Sequence, residues 1–339
     1  MLEDGDSLAA TVLGKFLGPE PKMSVSRVSQ GLSGGAVYRC STPERSFALK
    51  RWPAGTMEQR VDEVHCVQIY AHQTLPLVPR LCFLRENCSR VTLGSQHFEL
   101  STWLPGTAFA KETGDKSPRI PVAAAVNSGA AAIARFHVAT QGLGTALAPA
   151  PAIFQRLKRL GEIRQELPDL LANSGKMTGP ARLAAEYLIR NWQRLQFASE
   201  SLLRPYALKQ VPIQWVLRDS HREHILFENG GVSGIVDFDA IRKDTVGSDL
   251  ARWVGSFTDL GVKTELLWGE AFAGYSSVRE ISPCEQQLSG AIEEASWYIH
   301  LANWLTWMTD PSRTIPGGIE AAQARVTSLL RRSDVWVMH

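Results

Sequence analysis

The chain has 339 residues, 44% hydrophobic and 21% charged, long enough to build two lobes with real cores. Lys and Arg number 36 against 34 Asp and Glu, a net charge of +2, so no charge field draws the chain to nucleic acid or to an anionic membrane. Cys40, Cys66, Cys82, Cys88 and Cys284 are scattered without Cys-x-x-Cys spacing, which argues against a zinc ribbon or a disulfide frame and for a reducing cytoplasm. Met1 to Asp6 is acidic and lacks the basic-then-apolar pattern of a signal peptide, and no apolar run approaches the ~20 residues that span a bilayer.

Residues 24–52 read as three short strands, with Gly31-Leu32-Ser33-Gly34-Gly35 between the first two. A dinucleotide-binding fold would need a helix straight after its glycines, so that fold is disfavoured. Glycines between antiparallel strands instead let backbone N–H groups close over phosphates. In Ser46–Trp52 the period-two alternation sets Ala48 and Lys50 on one face and Phe47 and Leu49 on the other. Ala48 is small enough for a flat base to lie against it, and Lys50 is placed to reach phosphate oxygens. Taken alone, Lys50 reads equally well as a lysine on a solvated strand face. Met57–His72 carries Val61, Val64 and Ala71 at helical spacing. A strand is expected at Arg80–Arg85, then a hairpin of Arg90–Leu93 and His97–Trp103 turning at Gly94-Ser95.

Past Leu104-Pro105-Gly106 the texture changes from strands to helices. Ala110–Arg119 is polar and is the expected mobile loop. Val122, Val126, Gly129, Ile133 and Phe136 mark one face of a helix that ends near His137, a packing residue. Ile153–Leu171 and Gly179–Leu203 are amphipathic helices with nothing in them that suggests chemistry. Trp297, Leu301, Trp304 and Met308 share a helical stripe, which reads as core.

Between these helices lies Leu217-Arg218-Asp219-Ser220-His221-Arg222-Glu223-His224, followed by Ile225–Phe227, an Asn229-Gly230-Gly231 turn, Val232–Val236 and Asp237-Phe238-Asp239. Asn-Gly tolerates the positive φ of a tight turn, so the two apolar runs form a hairpin. That pairing sets His224 opposite Ile235 or Val236, within a residue or two of Asp237. Asp219, on the loop leading in, enters the same end. Carboxylates gathered so closely repel, and a metal ion commonly relieves that.

This run resembles a kinase catalytic loop with its metal-binding strand, and more closely the aminoglycoside phosphotransferase and choline kinase-like branch of the protein-kinase-like superfamily. His221 matches the second His of that branch's His-Gly-Asp-x-His-x-x-Asn, and Asp237-Phe238-Asp239 stands where a protein kinase has Asp-Phe-Gly. Leu217 and Arg218 depart from its His-Gly, and His224 stands where it has a metal-binding Asn. Ala48-Leu49-Lys50 resembles the lysine strand of kinases, Leu104-Pro105-Gly106 the segment after the hinge, and Asp249-Leu250-Ala251 the start of a helix in the second lobe.

The resemblance implies an α+β, bilobal protein-kinase-like fold, with a β-rich lobe over residues 1–103 and a mostly helical lobe over 104–339. The implied reaction moves the γ-phosphoryl group of ATP to a hydroxyl of a small acceptor, amino-bearing acceptors included. Asp219 would be the base; Gly31, Ser33, Gly34, Val37, Ala48, Lys50, Glu63 and Ser101 would surround ATP. In this layout Glu63 holds Lys50, with Glu58 and Asp62 as rivals, and the backbone around Ser101 meets the adenine edge. His224 and Asp237 would hold Mg²⁺ or Mn²⁺, Arg218 or Arg222 would add charge near the transferred group, and Asp249 would tie the catalytic loop. Two rivals stay open. In one, His224 has left a nucleotide-binding pseudokinase; in the other, His221, His224, Asp237 and Asp239 form the zinc site of a hydrolase.

Overall fold

The computed structural model describes residues 3–18, 23–30, 34–84, 87–109, 120–310, 313, 315 and 318–332. The predicted contacts of Gly31 and Ser33, and the loop at Ala110–Arg119, lie outside these residues. In chain order the first elements are α1 (Glu3–Leu17), β1 (Ser24–Gln30), β2 (Ala36–Ser41), β3 (Ser46–Arg51), α2 (Glu58–His72), β4 (Arg90–Leu93), β5 (Gln96–Thr102) and β6 (Thr107–Ala108). Then come α3 (Val122–Thr140), β7 (Ala146–Pro149), α4 (Pro151–Ser174), α5 (Gly179–Leu203), β8 (Gln210–Val216), β9 (Ile225–Glu228) and β10 (Gly231–Ile235). The last are β11 (Arg242–Asp244), α6 (Gly247–Gly255), α7 (Thr264–Ser276), α8 (Pro283–Thr309) and α9 (Gly318–Leu330). The arrangement is α+β, an antiparallel sheet first and helices after it. Two compact units form: Met1–Thr107 together with Leu226–Asp239, and Ala108–Ile225 together with Ala240–His339.

In the first unit the sheet runs in the order β1-β2-β3-β5-β4. Alternation along each strand sorts its residues by face. Tyr38, Cys40, Phe47, Leu49, Phe98 and Leu100 are buried in one core with Ala9, Val12 and Leu13 of α1. The opposite face follows from register: Val37 pairs with Lys50, Lys50 with Glu99, and Ala48 with Ser101. Four of the residues expected around ATP therefore share one face of the sheet. The strand expected at 80–85 is reduced to an isolated bridge between Leu81 and Ser101. A turn in which Leu84 N donates to the Cys88 carbonyl ends it early. Helix α1 has no counterpart in the sequence-based expectation. The hairpin β9–β10 turns where expected, with Asn229 at φ 51° and Gly230 at φ 81°.

In the second unit α3 is the central helix, with Val126, Gly129, Ile133 and Phe136 buried as the spacing predicts. Val122–Leu143 is, among the described residues, long and apolar enough to cross a membrane by length and composition, contrary to the expectation that no run approaches this. Ala130, Ala132, Ile133, Ala134 and Phe136 are nonetheless fully buried in protein, as in a core helix. Gly129 is where α3 admits Trp253: a Cβ there would lie 2.1 Å from the indole ring. The indole N–H then donates to the Val126 carbonyl at 2.9 Å. Trp297 and Leu301 are buried among α4, α5, α8 and α9, with Trp304 and Met308 packed on that core, as their stripe implied.

The loop 217–224 hangs on one carboxylate. Asp249, fully buried at the start of α6, accepts from Leu217 N at 2.7 Å and Arg218 N at 2.6 Å. His137, also buried, donates Nε2–H to the same carboxylate at 2.9 Å, and its Nδ1 meets the Tyr275 hydroxyl at 2.9 Å. These bonds hold Arg218 at φ 68°, a left-handed conformation that an arginine seldom adopts. Asp249→Ala strands three donors in a dry interior. It should cost on the order of 3–5 kcal/mol of unfolding free energy, read by urea denaturation followed by circular dichroism. A change below about 0.5 kcal/mol, the size of an ordinary surface substitution, would show that the loop is held by something else.

Candidate functional site

Each unit carries one group of functional side chains. In the first, Lys50 Nζ lies 3.0 Å from Asp237 Oδ1 and also hydrogen-bonds Asp239 Oδ1. Burial alone would push the Lys50 ammonium down, but Asp237, Asp239 and Glu99 outweigh it and hold the group above its ordinary range, firmly charged. Asp239 is pushed up to about 6, first by its burial and then, against the pull of Lys50, by Asp237 and Glu99. One cation thus serves a crowded set of carboxylates. Asp237 holds φ 64°, a conformation that Asp tolerates better than most residues.

The carboxylate expected to hold Lys50 is a different one. Glu63 pairs with Arg60 one turn earlier on α2 and is nearly half exposed, whereas Lys50 has two closer acidic partners on the strand after the hairpin. The rivals Glu58 and Asp62 are both taken by Arg90. Helix α2 supplies Arg60 instead, whose Nη2 donates to the Asp239 carbonyl at 2.7 Å. It also supplies His65, whose Nε2 lies 2.7 Å from Glu99 Oε2 and whose Nδ1 lies 2.7 Å from Ser89 Oγ. Trp52 Nε1 donates to the same Glu99 oxygen at 2.7 Å. Burial would raise Glu99, but His65, Lys50 and Trp52 together bring it below its ordinary value, so it stays ionised beside Lys50. Glu99 is the residue that the sequence analysis missed. Its signal was the cross-strand register with Lys50, which spacing along the chain does not reveal. Gly34, at φ 87°, adopts the conformation expected of the Gly-rich turn.

In the second unit, Asp219 Oδ1 accepts from Arg252 Nε at 2.8 Å. The Asp219 carbonyl accepts from His221 N at 2.7 Å and from His224 Nδ1 at 2.8 Å. A carbonyl can only accept, so Nδ1 of His224 carries the proton and the lone pair is on Nε2. His221 is buried. That burial, then the charge of Arg252, pushes its imidazole well below the ordinary range, so it stays neutral. Arg222 is tied by Nη1 to the buried Asp259 at 2.7 Å, which makes it a structural cation rather than one for a transferred group. Arg218 reaches Asp244 at 3.0 Å and Gln155 at 2.7 Å. Asp219, His221 and His224 thus belong to one unit, and Asp237 and Asp239 to the other.

The profile of the phosphotransferase enzyme family (APH) matches residues 24–281. No curated protein matches the chain in sequence. Among solved structures, an aminoglycoside phosphotransferase from Alicyclobacillus acidocaldarius is 16% identical, with TM-score 0.66 over 97% of this chain and 94% of that one. An amicoumacin kinase in complex with AMP-PNP, Ca²⁺ and Ami is 11% identical, with TM-score 0.64 over 98% and 95%. A microcompartment-associated aminopropanol kinase is 15% identical, with TM-score 0.63 over 96% and 94%. These likenesses show a shared fold. The zinc hydrolase reading loses its ground, since the matched family is one of phosphotransferases. With the loop 217–224, the strand lysine and the two aspartates after the hairpin all inside the matched stretch, the chain belongs to the phosphotransferase enzyme family.

Proposed function

We propose that this phosphotransferase moves the γ-phosphoryl group of ATP to a hydroxyl of a small molecule. The observation that carries the reading is Lys50 closed onto Asp237 and Asp239, a cation and two carboxylates of the kind that a nucleotide phosphate and its metal engage. On the sheet face away from α1, Val37, Ala48 and Ser101 flank Lys50 and offer an apolar bed and a strand backbone to a base.

A divalent cation fits the donor set. Asp237 and Asp239 are hard oxygen donors, and one lysine brings a single positive charge to the two of them. Asp237 would hold the metal, which supplies charge neutralisation for the phosphates. Lys50 would turn to the α- and β-phosphates, while Glu99, ionised behind it, keeps the ammonium aimed. Asp219 would accept the acceptor's hydroxyl proton, with its carboxylate oriented by Arg252. His224 offers Nε2, a borderline nitrogen donor better suited to Mn²⁺ than to Mg²⁺. The second reading, nucleotide binding without turnover, draws on that same His224 at the Asn position.

Three expected outcomes test this. Asp219→Asn should cut turnover about 10²–10⁴-fold while nucleotide affinity, measured by calorimetry, changes little; unchanged turnover would remove Asp219 from the mechanism. Lys50→Ala should weaken ATP binding, read by thermal shift, with an unaltered circular dichroism spectrum; an unaffected ATP response would leave Lys50 as a structural ion-pair partner only. His224→Asn should shift the metal preference from Mn²⁺ toward Mg²⁺. Equal metal titrations for both proteins would show that His224 is no ligand. Wild type that binds ATP and releases no ADP across sugars, amino sugars and amino alcohols, while His224→Asn does, favours the second reading.

A further inference from the structure

The arginines of the second unit are mostly spoken for. Arg159 pairs with Glu166, Arg218 with Asp244, Arg222 with Asp259, Arg252 with Asp219 and Arg332 with Glu293. Arg156, on the first turns of α4, is different. Its Nε donates to Ser296 Oγ on α8 at 2.8 Å and its Nη1 to the Ala152 carbonyl at 3.1 Å, both neutral acceptors. Among the described residues no carboxylate comes within ion-pair distance of it. Burial, then the charge of Arg218, lowers its guanidinium to about 10, with Asp244 opposing and Arg252 adding. A half-enclosed guanidinium among like charges is costly unless something negative joins it.

The surroundings of Arg156 point back to Asp219. His300 lies four residues after Ser296, one turn along the same face of α8. It has no hydrogen-bond partner among the described residues, and its imidazole is lowered to about 3, first by burial and then by Arg252 and Arg156, against Asp219. Arg252 hydrogen-bonds Asp219 directly, and Arg218 bonds Gln155, the neighbour of Arg156. Among the described residues Arg218 pairs with Asp244 and Arg252 with Asp219, which leaves Arg156 without an ion pair of its own, and the neutral His300 beside them has hydrogen-bonding capacity to offer. All of these residues belong to the second unit.

We infer that the acceptor brought to Asp219 carries an anionic group, a carboxylate or a phosphate, which pairs with Arg156 while His300 hydrogen-bonds it. The inference rests on the phosphotransferase reading for the word acceptor, but the anion site itself does not. It gives the acceptor a charge opposite to that of a simple amino alcohol. An anion at this position has two possible sources, the acceptor or the phosphates of the nucleotide, and both are read in one experiment.

The probe is sulfate. The thermal midpoints of wild type, Arg156→Gln and Arg156→Lys are followed through a sulfate titration against chloride at matched ionic strength, each with and without AMP-PNP and Mg²⁺. The expected result is a saturable sulfate stabilisation of wild type that weakens at least tenfold in apparent affinity in Arg156→Gln. It should survive in Arg156→Lys and persist when AMP-PNP is bound. The midpoints without added sulfate report whether each variant folds, and the lysine variant keeps the test open if the glutamine variant does not. A sulfate effect equal in wild type and Arg156→Gln overturns the site. A sulfate effect that AMP-PNP abolishes assigns the anion to the nucleotide and overturns the acceptor claim. Failure of AMP-PNP itself to shift the midpoint sinks the phosphotransferase reading, separately from the sulfate result.

Discussion

Asp249 is the constraint on which the loop 217–224 depends. A carboxylate wholly removed from water needs its lone pairs filled, and here they are filled by two consecutive backbone amides and an imidazole. The two amides belong to Leu217 and Arg218, so the demand of a buried charge dictates the backbone path just ahead of Asp219. The left-handed Arg218 is the visible cost of that path, and the hydrogen bonds offset it. His137 closes the network from α3 and passes it on to Tyr275 on α7. One charge therefore fixes the loop, the start of α6 and the end of α3 relative to one another.

A second electrostatic arrangement organises the sheet. Glu99, His65, Trp52 and Ser89 form a buried hydrogen-bonded row behind Lys50. A charged lysine in a mostly enclosed position needs acidic neighbours, and this row keeps one of them ionised without exposing it. The helix beside the strand thus acts on Lys50 through an imidazole and a second strand, where the kinase layout would use a helix glutamate. The outcome for the lysine is similar, and the residue types that deliver it differ.

Much of this was legible from sequence where the signal is local. The hairpin followed from Asn229-Gly230, the shared face of Ala48 and Lys50 from period-two alternation, and the buried face of α3 from a spacing of three and four. The ties made by Asp249 followed from a family resemblance, since nothing in its immediate neighbours marks it. What stayed hidden depends on register and on packing between elements far apart in the chain. Glu99 meets Lys50 only because β5 pairs with β3 in one register; a slip of one residue would have turned it to the opposite face. Glu63 was a reasonable choice on helical spacing, but Arg60 three residues earlier captures it. Helix α4 reads in sequence as amphipathic and without chemistry, because the lack of an acidic partner for Arg156 among the described residues becomes apparent only when α8 is laid against it.

The path of the chain between its two units carries a consequence for biosynthesis. The first unit is not a continuous stretch: it takes in residues 1–107 and then waits for 226–239. A nascent chain holding only the earlier segment has Lys50 and Glu99 but neither Asp237 nor Asp239, so the ion group around the lysine cannot close. At synthesis rates of roughly 5–20 residues per second, that unit spends several seconds incomplete while the intervening helices emerge. Glu99, already bonded to His65 and Trp52 within the early segment, is then the acidic group available to Lys50 during that interval. The buried row behind the lysine thus gives the half-made unit a counter-charge of its own until the chain returns with its aspartates.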